Sequence, residues 1–234
     1  MSDSFDVAAY ERGLAAYYRE RAPFYHKQFN RPGHPIDAAW REMAGEIREV
    51  LRGRRVLELA CGTGFFTEFA AETAERVLAT DLSDEMLAEA RRRSYPRGNV
   101  AFGKADAFAL HEVGEPVDAV LAVQWFSHVP KVRYADLLGG INARLGRGGV
   151  VYLADGGHDA QAVPGTMPGR AKYLKPGFED VYSLRQAQDS ERSYEIVKNH
   201  FKSEAEMRAV FGPYAANLET RLGEFFWRAW YTAP

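Results

Sequence analysis

The chain has 234 residues, a formal net charge of −2 and a charged fraction of 26%. These values are ordinary for a globular protein, and the length supports one large core, so we interpret residues 1–234 as a single domain. The near-neutral charge indicates neither a nucleic-acid partner nor an anionic membrane. A single cysteine excludes an internal disulfide framework and a zinc cluster, and no metal is expected. Because no signal-like or membrane-spanning apolar run is present, the sequence predicts a cytoplasmic protein.

Two helices are predicted before the first strand. The first, residues 5–28, repeats large side chains at spacings of three and four: Leu14, Tyr17, Tyr18, Arg21 and Tyr25. A turn-rich break over residues 30–39 separates it from a second helix, which runs from Asp37, a possible cap, to Leu51.

From residue 54 the sequence alternates between strands and helices. The predicted strands are 54–60, 76–81, 99–106, 116–124 and 150–155. The helices between them are 65–75, a helix capped by Ser83 that ends near Arg93, and 132–145. This alternation predicts an α/β fold, Rossmann-like, with a parallel sheet covered by helices on both faces.

The pattern changes after Asp155. Residues 156–179 are rich in Gly and Pro and predict an irregular cover, while residues 183–188 and 192–201 predict a hairpin that turns near 189–190. A helix from 203 to 211 opens with a capping box, and two final strands are predicted within 218–233. The chain then divides into N-terminal helices that form a lid (1–52), a ligand-binding core (53–155), a substrate-covering insertion after the fifth strand (156–202) and a final helix with strands (203–234).

The loop after the first strand, ELACGTG from Glu58 to Gly64, is the first candidate ligand site. Ligands of open α/β sheets bind beyond the carboxyl ends of the strands. Gly62 and Gly64 permit a tight turn and a close backbone approach, and the following helix presents its N-terminus. Thr67 occupies the position of the third glycine in a dinucleotide fingerprint, and the G-K-[ST] of a phosphate loop is absent. A pyrophosphate ligand is therefore disfavoured.

Three carboxylates describe the ligand further. Glu58 beside the loop suits a positive charge, and Asp81 at the end of the second predicted strand is placed to accept hydrogen bonds from both ribose hydroxyls. Asp106, after the third strand, can accept from an adenine amino group. A ligand with a ribose, an adenine and a cationic portion but no pyrophosphate fits S-adenosylmethionine.

Four segments in order, VLELACGTGFFT, ATDLSDEMLAEAR, KADAF and VDAVLAVQWFSHV, resemble the class I S-adenosylmethionine-dependent methyltransferases over about residues 54–155. The resemblance implies a methyltransferase whose product is S-adenosylhomocysteine, on a seven-stranded sheet with its last strand antiparallel. It also implies cofactor contacts at Glu58, Ala60, Gly62, Gly64, Asp81, Leu82, Met86, Asp106 and Ala107. We add Tyr17, Arg21 and Gln124 as predicted cofactor contacts, because an aromatic wall favours a sulfonium and an arginine can reach a carboxylate.

A narrower resemblance extends over most of the chain. AAYYRERAPFY, QWFSHVP, and R-Q-x-Q-D near RSYEIVK are similar to small bacterial O-methyltransferases of antibiotic biosynthesis, such as the phosphonate O-methyltransferase of the dehydrophos pathway. The dehydrophos enzyme methylates a small acid, and the likeness implies anion-binding residues at His128, Arg185 and Lys198. One departure is that the N-terminal motif ends in Tyr25-His26 where the family often has Tyr-Asp.

The acceptor side of the site leaves two chemistries open. A carboxylate or phosphonate needs no base, whereas a phenol or amine needs its proton removed, for which His128 is the candidate. His128 can otherwise orient the substrate or only bond a backbone carbonyl. Trp125 and Tyr25 are predicted substrate contacts, and Trp125 is equally compatible with core packing. Arg185 and Lys198 bind an anion or are two solvated charges.

Other functions stay open at this point. We predict O-methylation of an anionic natural-product intermediate; the alternatives are N-methylation of a small amine and a non-catalytic S-adenosylmethionine-binding protein. Thr67, at the position of the third glycine, disfavours an adenine-dinucleotide oxidoreductase. Methylation of a nucleic acid or a protein is also disfavoured, because the sequence has no basic stripe. The expected partner is a small-molecule acceptor, for a monomer or homodimer. Cys61 is interpreted as a small spacer, because no base is placed to activate its thiol.

Overall fold

The computed structural model describes residues 5–25, 29, 33–157, 172–186 and 191–234. The helices are α1 (Val7–Tyr25), α2 (Ile36–Val50), α3 (Phe65–Thr73), α4 (Asp84–Arg91), α5 (Tyr134–Leu145) and α6 (Glu204–Phe211). The strands are β1 (Arg55–Glu58), β2 (Arg76–Asp81), β3 (Val100–Lys104), β4 (Ala119–Val123), β5 (Val150–Gly156), β6 (Lys172–Leu174), β7 (Val181–Gln186), β8 (Ser193–Val197), β9 (Ala216–Leu222) and β10 (Phe226–Thr232). None of the helices in these ranges combines the length and the apolar character that a membrane crossing needs.

Seven strands form one sheet in the order β3-β2-β1-β4-β5-β10-β9. The first five are parallel to their neighbours, and β10 runs antiparallel to both β5 and β9. The central strand β4 is buried along its whole length, which explains its uninterrupted apolar sequence. The predicted α/β fold with an antiparallel last strand is therefore confirmed.

Helices cover both faces of this sheet. On one face, α2 and α3 bury an apolar cluster that includes Trp40, Ile47 and Phe66. On the other face, α5 and α6 bury a second cluster that includes Leu138, Ile141 and Phe211. The two clusters clamp the sheet between helices, so its carboxyl edge becomes a rigid base for a ligand site.

Some local predictions were wrong. Asp37 does not cap α2, because its carboxylate accepts from the Gly33 N–H (3.0 Å) and the helix begins one residue earlier. Helix α5 begins at Tyr134, since residues 131–133 form a 3-10 turn. Within the predicted irregular segment, residues 172–174 form strand β6. The Ser83 cap is confirmed by its bond from the Met86 N–H (3.2 Å). The predicted turn at 189–190 and His26 lie outside the described residues.

A second, three-stranded antiparallel sheet has the order β6-β7-β8. Its register pairs Ser183 with Ile196 and Arg185 with Tyr194. Just beyond the end of β8, the Lys198 N–H donates to the Val181 carbonyl at 2.7 Å and continues this pairing. Because side chains alternate between faces, residues 183, 185, 194, 196 and 198 share one face. Helix α1 packs against β8 at this side of the small sheet and against α4 of the main sheet. The N-terminal helix therefore bridges the two sheets.

Candidate active site

A cavity of about 390 Å³ opens at the carboxyl ends of β1 to β4, against α1. This is the edge where open α/β sheets bind their ligands. The predicted site residues in its wall are Tyr25, Ala60, Gly62, Asp81, Leu82, Met86, Asp106, Ala107, Gln124, Trp125 and His128. Tyr17, Arg21, Glu58, Gly64, Arg185 and Lys198 lie outside this wall, and their contacts with a ligand stay predictions.

Backbone strain is concentrated where β1 and β4 end at the cavity. Ala60 and Gln124 have φ angles of 49° and 61°, in the left-handed region that non-glycine residues rarely adopt. Gly62 has a φ of 55°, and a Cβ added there would lie 3.5 Å from the Tyr25 ring. Strain of this kind clusters at ligand sites, because the surrounding structure must hold the backbone in place.

Gly64 has a packing role instead. A Cβ at this position would collide with Tyr95 Oη and would lie 3.2 Å from the Ala90 Cβ, and its φ of 76° is left-handed. Only glycine fits where α3 begins against α4. Gly64 thus sets the angle at which the loop leaves β1.

Asp81 ties the loop to the end of β2. Its two carboxylate oxygens accept from the Gly62 and Ser83 N–H groups, each at 2.9 Å. Burial raises the pKa of Asp81, although these backbone bonds oppose the shift. Asp106 is held by a bond from the Phe108 N–H (2.9 Å). Both carboxylates therefore have a defined orientation in the cavity wall, where each retains acceptor capacity for a ligand.

Glu58 has a bonding partner inside the protein. Only 2% of it is exposed, and its Oε2 accepts from the Thr67 hydroxyl at 2.5 Å. Burial raises the pKa of Glu58 to about 8, and the Thr67 bond opposes the shift. Thr67, the residue that breaks the dinucleotide fingerprint, is thus the internal partner of Glu58. At pH 7 the ligand-free site carries a mostly neutral carboxyl under its loop.

We expect the stability of the ligand-free protein to fall as pH rises from about 5 to about 8 through Glu58. The folded state retains a proton that the unfolded state loses near pH 4.5, so the free energy of unfolding falls by about 1.4 kcal/mol per pH unit across this interval. Glu58→Gln should remove this component. Urea unfolding of both proteins at several pH values measures it; parallel wild-type and variant curves would contradict the assignment.

His128 lies in a 3-10 turn, Phe126–His128, shortly after β4. Its Nδ1 is 2.8 Å from the Val197 carbonyl oxygen, which can only accept, so Nδ1 carries the proton. The Nε2 lone pair then accepts from the Tyr18 hydroxyl at 2.7 Å. Burial and the Lys198 charge lower the pKa of His128. The imidazole is therefore neutral and held from both sides.

Tyr18 and Tyr10 attach α1 to this turn. Tyr18 bonds the His128 ring, and the Tyr10 hydroxyl donates to the His128 carbonyl at 2.6 Å. Both tyrosines line the cavity. Together with Tyr25, they make α1 one wall of the cavity.

Lys198 is a largely buried cation beside the turn that carries His128. Its Nζ contacts Ser127 Oγ at 2.5 Å and Asp155 Oδ1 at 3.3 Å, with 12% of the side chain exposed. Burial lowers the pKa of Lys198, although Asp155 opposes this. Burial would raise the pKa of Asp155, but Lys198 holds it below its ordinary value. The solvated-charge interpretation of Lys198 is therefore wrong.

Arg185 and Arg21 extend this positive region. Arg185 is 5% exposed on the face of the small sheet that also carries Lys198, and its charge acts on both Lys198 and His128. Arg21 donates to Tyr17 Oη at 2.9 Å and lies over the Tyr25 ring at 5.2 Å. Its charge also lowers the pKa of Lys198. We call Arg21, Arg185 and Lys198 the cation cluster.

The turn after β4 is bound directly to the small sheet. Besides the bond from His128 to Val197, the Asn199 N–H donates to the Ser127 carbonyl at 2.8 Å, and the Asn199 amide donates to the Val129 carbonyl at 3.2 Å. The cation cluster and the cavity wall are therefore joined by hydrogen bonds of one segment, residues 125–129.

Sequence reasoning missed Tyr10, Ser127 and Asp155. Asp155 bonds the Ser127 N–H (2.8 Å) and the Gly156 N–H (2.7 Å) as well as Lys198. Asp155 is the last but one residue of β5, much as Asp81 is the last residue of β2, so the rule that selected Asp81 was also a signal for Asp155. Tyr10 and Ser127 carry no comparable signal, since their partners are distant in sequence.

Cys61 is 7% exposed, and burial raises the pKa of its thiol. A thiolate nucleophile is therefore disfavoured. This geometry agrees with the spacer interpretation, and we expect Cys61→Ser to retain the activity of the wild type.

Comparison with known proteins gives the class of the fold. Residues 56–149 match a family model described as a methyltransferase domain. A solved complex of DhpI with SAH is 29% identical and superposes with a TM-score of 0.72 over 97% of this chain and 98% of that chain. The chain has the class I methyltransferase fold, and residues 56–149 are similar in sequence to a methyltransferase domain.

The similarity to DhpI extends to a DhpI–SAM–HEP complex, with a TM-score of 0.71 at 29% identity over 96% and 98% of the two chains. A malonyl-[acyl-carrier protein] O-methyltransferase of Hamiltonella defensa is 34% identical over 36% of this chain and 31% of its own length. A demethylmenaquinone methyltransferase of Thermus thermophilus is 33% identical over 59% and 63%. The chain spans about a third of the length of the first curated relatives.

Proposed function

We propose that the chain is an S-adenosylmethionine-dependent methyltransferase that methylates an oxygen of a small anionic acceptor, a carboxylate or phosphonate intermediate of natural-product biosynthesis. The cation cluster behind the cavity carries this proposal. Lys198, which pairs with Asp155, and the buried Arg185 place two cations close to the turn that carries His128, and their charges act on each other. Lysine and arginine are the side chains that bind carboxylates and phosphonates through charge-assisted hydrogen bonds. The full-length similarity to DhpI, solved with SAM and SAH, supports the cofactor.

The residues of the cavity fit this cofactor. Asp81 has acceptor capacity for ribose hydroxyls, Asp106 for an adenine amino group, and the glycine at 62 lets the backbone approach closely. The cavity volume of about 390 Å³ lies within the range of small-molecule sites. When bound, S-adenosylmethionine supplies an electrophilic methyl group on a sulfonium.

The chain's own contribution to such a reaction is positioning. Lys198 and Arg185 hold the anion, and the segment 125–129 sets its distance from the cavity, where an acceptor oxygen must come within about 3 Å of the methyl carbon. An anionic oxygen needs no base, and His128, with a lowered pKa and an Nε2 already bonded to Tyr18, is a weak one. His128 therefore orients Tyr18 and the acceptor, and Tyr18 with Trp125 excludes water from the site.

The test is an acceptor panel matched in size. The full chain is incubated with S-adenosylmethionine and small carboxylates, phosphonates, phenols and amines, and formation of S-adenosylhomocysteine is followed. We expect turnover with acids alone. Turnover restricted to amines would favour an N-methyltransferase. Cofactor binding without turnover of any acceptor on a broad panel would favour a non-catalytic binding protein. Tight binding of NAD in place of S-adenosylmethionine would favour an oxidoreductase.

His128→Asn separates orientation from base catalysis. Asparagine keeps one donor toward the Val197 carbonyl, so we expect the acceptor KM to rise about 10-fold with kcat changed by less than about 3-fold. Tyr18→Phe should give the same pattern, because it removes the bond to Nε2. Steady-state kinetics with saturating cofactor measure both. A loss confined to kcat would contradict the orienting role and indicate a base.

A further inference from the structure

The hydroxyl of Ser183 has no role in the proposed mechanism. It is fully buried in the middle of β7, with 0% exposure. Its hydroxyl has no hydrogen-bond partner among the residues that the structure describes. A buried hydroxyl without a partner costs about 1–3 kcal/mol, so proteins retain few of them without a reason.

The register of the small sheet places Ser183 within the cation cluster. It lies two residues before Arg185 on the same strand and therefore on the same face. On the neighbouring strand β8, the direct partner of Ser183 is Ile196. Lys198 lies two residues beyond Ile196 and is therefore the diagonal neighbour of Ser183. The hydroxyl is thus flanked by the two cations of the proposed acceptor site, along the strand and across it.

We propose that Ser183 is a substrate-binding residue that donates a hydrogen bond to the acceptor anion between Arg185 and Lys198. The inference rests on the proposed function and adds a neutral donor to its anion site. A tetrahedral phosphonate or a carboxylate has more lone pairs than two cations engage, and a serine hydroxyl supplies a donor without adding a third adjacent charge. Acceptor binding would give this hydroxyl the partner that it lacks.

The chain offers a matched control for this proposal. Ser193 lies on the adjacent strand β8, where it pairs with Gln186, so it occupies the opposite face of the same sheet and is exposed. Ser193→Ala removes the same atom from the same sheet but away from the cation cluster. Ser183→Cys, in turn, preserves the volume of the side chain while replacing a strong donor with a weak one.

The experiment uses inorganic phosphate and acetate as probes, titrated calorimetrically into the full chain saturated with S-adenosylhomocysteine. We expect Ser183→Ala and Ser183→Cys to weaken phosphate binding about 10- to 100-fold, the range for a hydrogen bond to a charged group. Ser193→Ala should match the wild type, and all variants should bind S-adenosylhomocysteine equally.

Phosphate affinity within 2-fold of wild type in both Ser183 variants would overturn the proposal. If Ser183→Ala fails to fold, as thermal unfolding would reveal, the outcome is decided by Ser183→Cys. A wild type that binds S-adenosylhomocysteine but neither anion would contradict the anionic acceptor itself, a failure of the proposed function that is distinct from an unaffected Ser183 variant.

Discussion

Asp81→Ala is expected to weaken S-adenosylmethionine binding by at least about 100-fold. If Asp81 binds the ribose as proposed, the substitution leaves two hydroxyls without their acceptor, and each lost bond to a charged group costs about 1.5–3 kcal/mol. It also releases the Gly62 and Ser83 N–H groups that Asp81 holds at 2.9 Å, so the loop after β1 loses its attachment to β2. Isothermal titration of the full chain with S-adenosylmethionine measures the loss.

Asp84→Ala is the control for this experiment. Asp84 also lines the cavity, but its carboxylate is 71% exposed and pairs with Lys104 at 2.6 Å. Exposed ion pairs contribute little, so cofactor affinity should stay within about 3-fold of wild type. Unchanged affinity in Asp81→Ala would remove Asp81 from the cofactor site, and equal losses in both variants would indicate a general effect of negative charge in the cavity.

Lys198→Ala should destabilise the fold by about 3–5 kcal/mol as well as weaken acceptor binding. Removing Lys198 leaves Asp155, with 0% exposure, as a buried carboxylate without its cation. The double variant Lys198→Ala/Asp155→Asn removes that charge and should recover part of the stability, because asparagine keeps one of the two oxygens that accept from the Ser127 and Gly156 N–H groups. Anion affinity should not recover, because the cation that we propose binds the acceptor is still missing. The pair of variants therefore separates the structural role of Lys198 from its binding role.

Urea unfolding and the acceptor KM together measure this prediction. Arg185→Ala should raise the acceptor KM with little change in cofactor affinity, whereas Lys202→Ala, which removes an exposed lysine four residues beyond Lys198, should change neither. Recovery of both stability and acceptor affinity in the double variant would mean that Lys198 serves only to neutralise Asp155. A normal acceptor KM in Arg185→Ala and in the double variant would contradict the proposed anion site.

The strands of the main sheet could be predicted from the sequence because each one is marked by a local pattern of residues. Apolar runs such as 116–124 mark buried parallel strands, and residues that follow those strands, including Asp81, Asp106 and Gln124, necessarily meet at one edge. The resemblance to class I methyltransferases adds the antiparallel β10, whose position between β5 and β9 no local pattern specifies.

The acceptor side depends on contacts between residues far apart in the chain, and these have no local signature. Arg185 and Lys198 resemble surface charges in sequence, yet they are buried because β7 and β8 fold back against α1 and the turn after β4. Glu58 likewise is buried and accepts a hydrogen bond from Thr67, nine residues later, and the sequence gives no sign of this pairing. Burial of a charge is a property of the tertiary structure, which a periodicity argument does not capture.

The hydrogen bonds between segment 125–129 and the residues after β8 have a consequence for the engineering of acceptor specificity. Ser127 and Val129 accept hydrogen bonds from Asn199, and His128 donates one to Val197. Each bond of this junction therefore has one partner in segment 125–129 and the other in residues 197–199. A chimera that receives only the segment equivalent to residues 156–202 from another methyltransferase would combine two halves of the junction that do not match. Transplanting the two segments together, while the loop after β1 is left untouched, is the exchange that this architecture permits.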